Sequence, residues 1–467
     1  MAKKELEYKP KSCWDVLTGA AHTKAMDDVC TRYLDFLSRC KTERETVDAI
    51  VARAKAAGYK ETGKGDRIVR VFRGKTVLLA RRGKQPLSKG MRLIGSHADT
   101  PRLDLKQRPL YEDCAVSQMK THYYGGIRKY QWLARPLALH GVVVRKDGEV
   151  MPVCLGEDPA EPVFTVPDLL PHLAAAQNDK SVAKAFEAEK LNIIVGHAPA
   201  PESKDARGGK DKKDAKAASR IKARVLELLH AKYGLVEEDF YSAELQAVPA
   251  GPARLVGLDG SVVGGYGQDD RICVFTSLEA MLTAKAAPHT QVALFWDKEE
   301  IGSDGSTGAK SLFFEYCLEE LIELWQPAAK KREVLVNTKA VSADVQGALD
   351  PDFQDLHEKM NAAVLGNGPC FSKFTGHRGK YGANDAHAEY VAWFRALLAK
   401  AGVPWQMAEL GRVDVGGGGT VAKDLAIYGM DIIDFGPALL SMHSPFELSS
   451  KADLYATMLA YRAFMES

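Results

Sequence analysis

Strand-like and helical segments alternate through both ends of this chain, which predicts an α/β fold interrupted by an insertion. Three observations carry that prediction. Met91–Ser96, Val292–Trp296 and Met430–Phe435 are apolar runs of strand length, as expected of strands buried on both faces. Longer segments of helical periodicity fall between them. The stretch from about Leu105 to Leu258 has a different texture, with short β-type segments punctuated by turns, and reads as a β-rich domain inserted into the α/β one.

Taken in order, the chain is helical in pattern from Thr23 to about Tyr59. Thr42 with Glu45 three residues later forms a capping-box signature for a second helix, which Gly58 can end. Arg67–Phe72 and Thr76–Ala80 alternate around Arg73-Gly74-Lys75, the pattern of a β-hairpin. Met91–Ser96 is a strand that runs straight into His97. In the insertion, Leu137–Arg145 is β-type, Asp147-Gly148 marks a turn, and Asp158 to Pro171 is proline-rich. Residues 202–224, rich in Lys, Ala, Asp and Gly, read as a solvated helix or mobile loop rather than a nucleic-acid site. After Leu258, Val292–Trp296, Glu333–Asn337 and Met430–Phe435 are expected as buried strands. Ala309–Trp325, Asn384–Ala401 and Lys451–Met465 are expected as helices, with Gly402 a C-cap. The expected division is 1–104 and 259–467 for the α/β domain and 105–258 for the insertion. No internal repeat is evident.

The bulk numbers exclude several classes. A chain of 467 residues exceeds one typical domain, and 46% apolar with 27% charged residues describes an ordinary globular protein. A net charge of +2 gives no global reason to expect nucleic acid or an anionic membrane as partner. The eight cysteines are scattered without a C-x-x-C, as suits buried, reduced thiols better than disulfides or a thiolate zinc site. No signal-peptide core opens the sequence and no apolar run would span a bilayer, so a cytoplasmic location is expected.

Five islands carry chemistry. Glu299 and Glu300 follow the strand Val292–Trp296, ahead of a loop marked by Gly302, Ser303, Gly305 and Ser306. Strand ends in α/β sheets display catalytic groups, and adjacent carboxylates repel unless a cation or a shared proton separates their roles. Alone, the pair reads equally as a solvated acidic turn. In Gly95-Ser96-His97-Ala98-Asp99, His97 can bind a metal while Asp99 orients its other ring nitrogen. In Gly264-Gly265-Tyr266-Gly267-Gln268-Asp269-Asp270, one carboxylate can bridge two cations or the pair can cap the following helix; both hold if Asp270 caps and Asp269 bridges. Asp344 in Ser342-Ala343-Asp344 offers a further carboxylate, and His443 in Ser441-Met442-His443-Ser444-Pro445 a second imidazole. Each island also has a plain structural explanation. Together they place oxygen and imidazole donors near several strand ends, the residue chemistry of a co-catalytic pair of divalent ions.

With these motifs in hand, GSHADTPR, GQDD, DKEEIGS, SAD and SMHSPFE in that order, the chain resembles the aspartyl aminopeptidase and vacuolar aminopeptidase family over nearly its whole length. The resemblance implies a zinc-peptidase-type catalytic domain, with a mixed central sheet flanked by helices, carrying an inserted β-rich dimerisation domain. It implies a homo-oligomer, a tetrahedral dodecamer built from dimers and enclosing its active sites. Peptides are the implied substrates, with two divalent ions per subunit as cofactors. Zinc is the expected metal, although manganese and cobalt suit such donors too. Matched motif to motif, His97, Asp269 and Asp344 would hold one metal and Asp269, Glu300 and His443 the other. Glu299 would be the general base, with Asp99 supporting His97. His172, in Pro167-Asp168-Leu169-Leu170-Pro171-His172-Leu173, matches a family histidine that reaches into a neighbouring subunit's active site. Lys373 could pair with an acidic side chain of a substrate or be an ordinary exposed lysine, and Tyr381 falls in a family segment near the substrate pocket. The sequence departs from the aspartyl-type members at Gly416–Gly419 and after Asp344, so the resemblance leaves open whether an acidic or a neutral N-terminal residue is preferred.

Three rivals remain at this level. A di-zinc deacylase or carboxypeptidase shares the donor set. A nucleotide-binding protein could use Gly416–Gly419 as a phosphate cradle, although no Lys-Ser/Thr follows. A non-catalytic scaffold is disfavoured by the complete set of donors and base.

Overall fold

The computed structural model describes residues 6–201 and 219–467. Most of the Lys-rich stretch therefore lies outside the described residues; its last part, from Arg220, opens the helix Arg220–Tyr233. The described chain packs as two units. One comprises Met1–Thr100, Pro252–Met442 and Phe446–Ser467, and the other comprises Pro101–Gly251 with His443–Pro445.

The first unit is built on an eight-stranded mixed sheet. Across it the order is Arg67–Phe72, Thr76–Arg81, Thr290–Trp296, Met91–His97, Lys339–Ser342, Asp431–Gly436, Cys370–Ser372 and Gln406–Met407. The four strands from Thr290–Trp296 to Asp431–Gly436 are mutually parallel. Their side chains alternate between two apolar layers. Ile94, Phe295, Val341, Ile433 and Phe435 face one, with the helices Gln268–Thr283 and Lys451–Met465. Leu93, Leu294, Trp296, Ala340 and Ile432 face the other, with the helix Phe313–Trp325. Burial on both faces explains why these strands read as unbroken apolar runs instead of alternating ones.

The hairpin Arg67–Phe72/Thr76–Arg81 and the capping box at Thr42 and Glu45 form as expected. So does the left-handed Gly402 ending the helix Ala388–Ala401. That helix and Phe313–Trp325 each begin four residues later than their periodicity suggested. One element is corrected in kind. Glu333–Asn337, expected as a strand, belongs to the helix Lys331–Val336, and the strand is the next segment, Lys339–Ser342. Val334 and Leu335 are buried while Val336 is 61% exposed, a one-sided pattern that a short apolar run does not reveal in sequence. The cysteine expectation also needs correction in part: all eight are free and six are buried, but Cys114 and Cys154 are exposed.

The helix Lys451–Met465 carries a buried acid in its first turn. Asp453 accepts hydrogen bonds from Gly366 N at 2.8 Å, Gly368 N at 2.7 Å and the Cys13 thiol. Burial pushes its pKa from 3.8 up to about 6, against the lowering effect of those donors. Ionising Asp453 therefore opposes folding. The penalty is absent below about pH 4, grows as pH rises through about 6 and is constant above, about 3 kcal/mol in all. Asp453→Asn titrates nowhere in this window. It should gain on the wild type by that amount between pH 4 and 7 in denaturant titrations, and parallel profiles of the two proteins would refute the assignment.

The second unit is a six-stranded antiparallel sheet in the order Val150–Leu155, Leu137–Val144, Ala243–Pro249, Arg102–Asp113, Val116–Tyr124 and Ile193–Gly196. Among the described residues no helix is long and apolar enough to cross a membrane.

Candidate metal centre

Parallel pairing aligns the ends of three central strands. His97 stands opposite Trp296, and Ser342 opposite Gly95. The ladder continues one step beyond, through Ala98 N to Trp296 O and Ala343 N to Gly95 O, each 2.7 Å. His97, the turn after Trp296 and Asp344 thus leave the sheet at one carboxyl edge, where loops release side chains from core packing. The helix Gln268–Thr283 brings its first residues to the same place. Gly267 ahead of it has φ 76°, and a Cβ there would lie 1.8 Å from the buried Arg271 guanidinium, so only glycine fits.

The His97 Nε2 lies 3.4 Å from Asp269 Oδ1, 3.9 Å from Asp344 Oδ1 and 4.0 Å from Glu299 Oε2. His97, Asp269 and Asp344 offer donor atoms within 4.8 Å of one another. Asp269 and Glu300 approach each other within the same limit. Burial alone would lower the His97 pKa, but hydrogen bonds to Asp269 and Asp99 and the nearby charge of Asp270 hold it well above its ordinary value. Burial, then the charge of Asp270, pushes Asp344 well above the usual carboxylate range. These acids are crowded beyond what one imidazolium balances, and a divalent cation relieves the same excess of negative charge. The donor set of one imidazole and several carboxylates, without sulfur, fits zinc.

Asp99 does more than the sequence suggested. Its Oδ1 lies 3.3 Å from His97 Nδ1, and its backbone oxygen accepts from that nitrogen at 3.1 Å. The same carboxylate also accepts the backbone N–H of Glu299 at 3.1 Å and of Glu300 at 3.2 Å. Fully buried, it ties the imidazole to the turn that carries both glutamates. That turn, Glu299–Ile301, is framed by left-handed residues Lys298 and Gly302. Behind it, buried Asp297 accepts from Thr307 Oγ1 at 2.7 Å and pairs with Lys298 at 3.3 Å. Asp270, expected as a helix cap, instead accepts the His97 backbone N–H at 3.2 Å, and no side-chain cap bond closes the helix.

The other expected residues are placed as follows. His443 belongs to the second unit, where its Nδ1 donates to Gly126 O at 2.9 Å, which leaves the lone pair of a neutral ring on Nε2. His172 sits in the same unit on the exposed turn Pro171–Leu173. Lys373 is paired with Asp385, which also holds Lys380 at 2.8 Å. Tyr381 is 84% exposed and pairs through its backbone with His377. The glycine tract forms no phosphate cradle: Gly417–Gly418 pairs antiparallel with Gly376–His377, and a Cβ at Gly417 would meet Gly376 O at 2.4 Å.

A family profile described as Aminopeptidase I zinc metalloprotease (M18) matches residues 36–465. The chain belongs to the M18 family. It is accordingly a metalloaminopeptidase, and neither the deacylase nor the nucleotide-binding alternative is favoured. Among M18 relatives, the probable M18 family aminopeptidase 1 of Clostridium acetobutylicum is 47% identical over 473 residues, 99% of this chain and 98% of that protein. The crystal structure of an M18 aminopeptidase from Thermotoga maritima superposes with a TM-score of 0.91 at 43% identity, covering 98% of this chain and all of that one. The S. cerevisiae mApe1 dodecamer has a TM-score of 0.74 at 20% identity, with 94% and 97% covered, a likeness of fold alone.

Proposed function

We propose that this M18 aminopeptidase removes the N-terminal residue from peptides with Glu299 as general base beside two metal sites. His97, Asp269 and Asp344 would hold one ion and Asp269, Glu300 and His443 the other, with Asp269 common to both. The observation that carries this reading is the convergence of His97, Asp269, Asp344 and Glu299 on one strand edge, with Glu299 Oε2 4.0 Å from the imidazole. When bound there, divalent ions would supply a lowered water pKa and polarisation of the scissile carbonyl. Glu299 takes a proton from the attacking water and passes it to the departing amine, so water is divided between the released amino acid and the shortened peptide. Asp99 fixes the direction of that carboxylate through the Glu299 amide while holding His97 in its ligating tautomer.

The finer assembly belongs to the same proposal. By resemblance, and by the dodecamer of the yeast relative, the subunits form a tetrahedral dodecamer from dimers joined through the β-rich unit. His172 then acts in a neighbouring subunit, Lys373 and Tyr381 border the substrate, and the enzyme works in the cytoplasm.

A panel of aminoacyl chromogenic substrates with N-blocked counterparts tests the reading, repeated after chelation and metal add-back. Free-amine substrates should turn over, lose activity with the chelator and regain it with zinc. Turnover of the blocked substrates instead, or activity indifferent to chelation, would overturn it.

A further inference from the structure

The bridging aspartate is fixed from behind by a second acid. Glu447 opens the strand Glu447–Ser450 and is 1% exposed. Its Oε2 accepts the backbone N–H of Gln268 and, at 3.2 Å, that of Asp269. Its own backbone oxygen accepts from Gln268 Nε2 at 2.7 Å. Gln268 is locked further: Nε2 also donates to Val263 O at 3.1 Å, and Oε1 accepts from Ser449 Oγ at 2.6 Å and Tyr33 Oη at 3.3 Å. One acid thus clamps the two successive amides on either side of the Gln268 Cα, the second of them that of Asp269.

Two explanations suit a buried carboxylate that accepts both amides. The bland one is that Glu447 serves the helix Gln268–Thr283 as an anion at its N-terminus, where Gly267 supplies no side-chain cap. The alternative follows from which residue it holds. Charge-assisted bonds to the Asp269 amide set where that carboxylate stands, and the added negative charge favours a cation on its far side.

We propose that Glu447 is a positioning residue for Asp269, setting the place and charge of the bridging carboxylate and thereby the affinity of the centre for divalent ions. This rests on the reading of Asp269 as a ligand.

The test compares the full-length wild type with Glu447→Gln and Glu447→Asp. Zinc affinity is measured by competition with a chromogenic chelator, cobalt(II) substitution is followed by visible absorption, and thermal unfolding is followed without metal. Wild-type zinc binding, measured first together with that of Asp269→Asn, tests the ligand reading. The difference between wild type and the Glu447 variants tests this proposal. Glu447→Gln should bind zinc about 10–100-fold more weakly and shift the cobalt bands, with little change in the metal-free unfolding midpoint. Glu447→Asp, which keeps the charge but withdraws the acceptor by one methylene, should shift the bands in the same way and decides the matter if the glutamine variant does not fold. Wild-type affinity and spectrum in the variant that folds, with loss confined to thermal stability, would reduce Glu447 to a helix anchor and overturn the proposal.

Discussion

Glu299→Gln is expected to keep its metal and lose kcat by about 10²–10⁴-fold, the usual contribution of a positioned general base. The substitution is nearly isosteric. The Glu299 backbone N–H still donates to Asp99, so the turn Glu299–Ile301 keeps its anchor. What disappears is the carboxylate that lies 4.0 Å from His97 Nε2 without belonging to either donor triad. Neither triad loses a member, so metal content should match the wild type, and KM should change less than kcat because proton transfer, not substrate binding, is removed. Steady-state kinetics with metal analysis on the same samples checks this. Full turnover in the variant would end the assignment of Glu299 as base; loss of metal would recast it as a ligand.

The second large effect concerns Asp269. On the proposed reading, Asp269→Asn removes an anionic donor common to both candidate ligand groups, so metal occupancy should fall in both together. The loss should exceed the about 10–100-fold that removing a supporting residue brings, because the ligand itself is changed. Asp344→Asn removes a donor from the His97 set alone and serves as the control. Metal analysis after exhaustive dialysis reads the difference. Two ions per chain in the Asp269 variant would contradict bridging, as would equal losses in the two variants. The Asp269 carboxylate also receives the His97 hydrogen bond that raises the imidazole pKa, so the variant should lower it, an effect visible in the ring's NMR titration in metal-free protein.

The glutamates at the end of Val292–Trp296 were legible because two local signals coincide there: an apolar run buried on both faces, and a glycine-bearing loop that must leave it. The same logic exposed His97 and the hairpin Arg67–Phe72/Thr76–Arg81. It failed at Glu333–Asn337, where helix and strand both explain a few consecutive apolar residues, and the adjacent strand Lys339–Ser342 is only four residues long and starts on a lysine, too little for a strand pattern. The structure nevertheless sets Asp344 beside His97, because the true strand ends two residues before it. Lys373 and Tyr381 show a different limit. Sequence supplies a cation and a ring, but the pairing of Lys373 with Asp385 and the exposure of Tyr381 depend on where two loops meet.

The sequence by itself determined the chemistry of this protein: which donors are present, that sulfur is absent from them, and that glycines and strand ends present them. Residue type and spacing along a strand are local properties, and local properties survive in one dimension. Only the tertiary structure decided which acids gather around His97 and which turn to the backbone behind it. Asp99, Asp270 and Glu447 are as acidic as Asp269, Glu300 and Asp344, yet their carboxylates accept the main-chain amides of the proposed ligands, His97, Asp269 and Glu300, or of the proposed base Glu299. A buried carboxylate must find either a cation or hydrogen-bond donors. Which one it finds is fixed by elements up to about 200 residues apart, as Asp99 and Glu299 are, a partner choice that no spacing within a motif encodes.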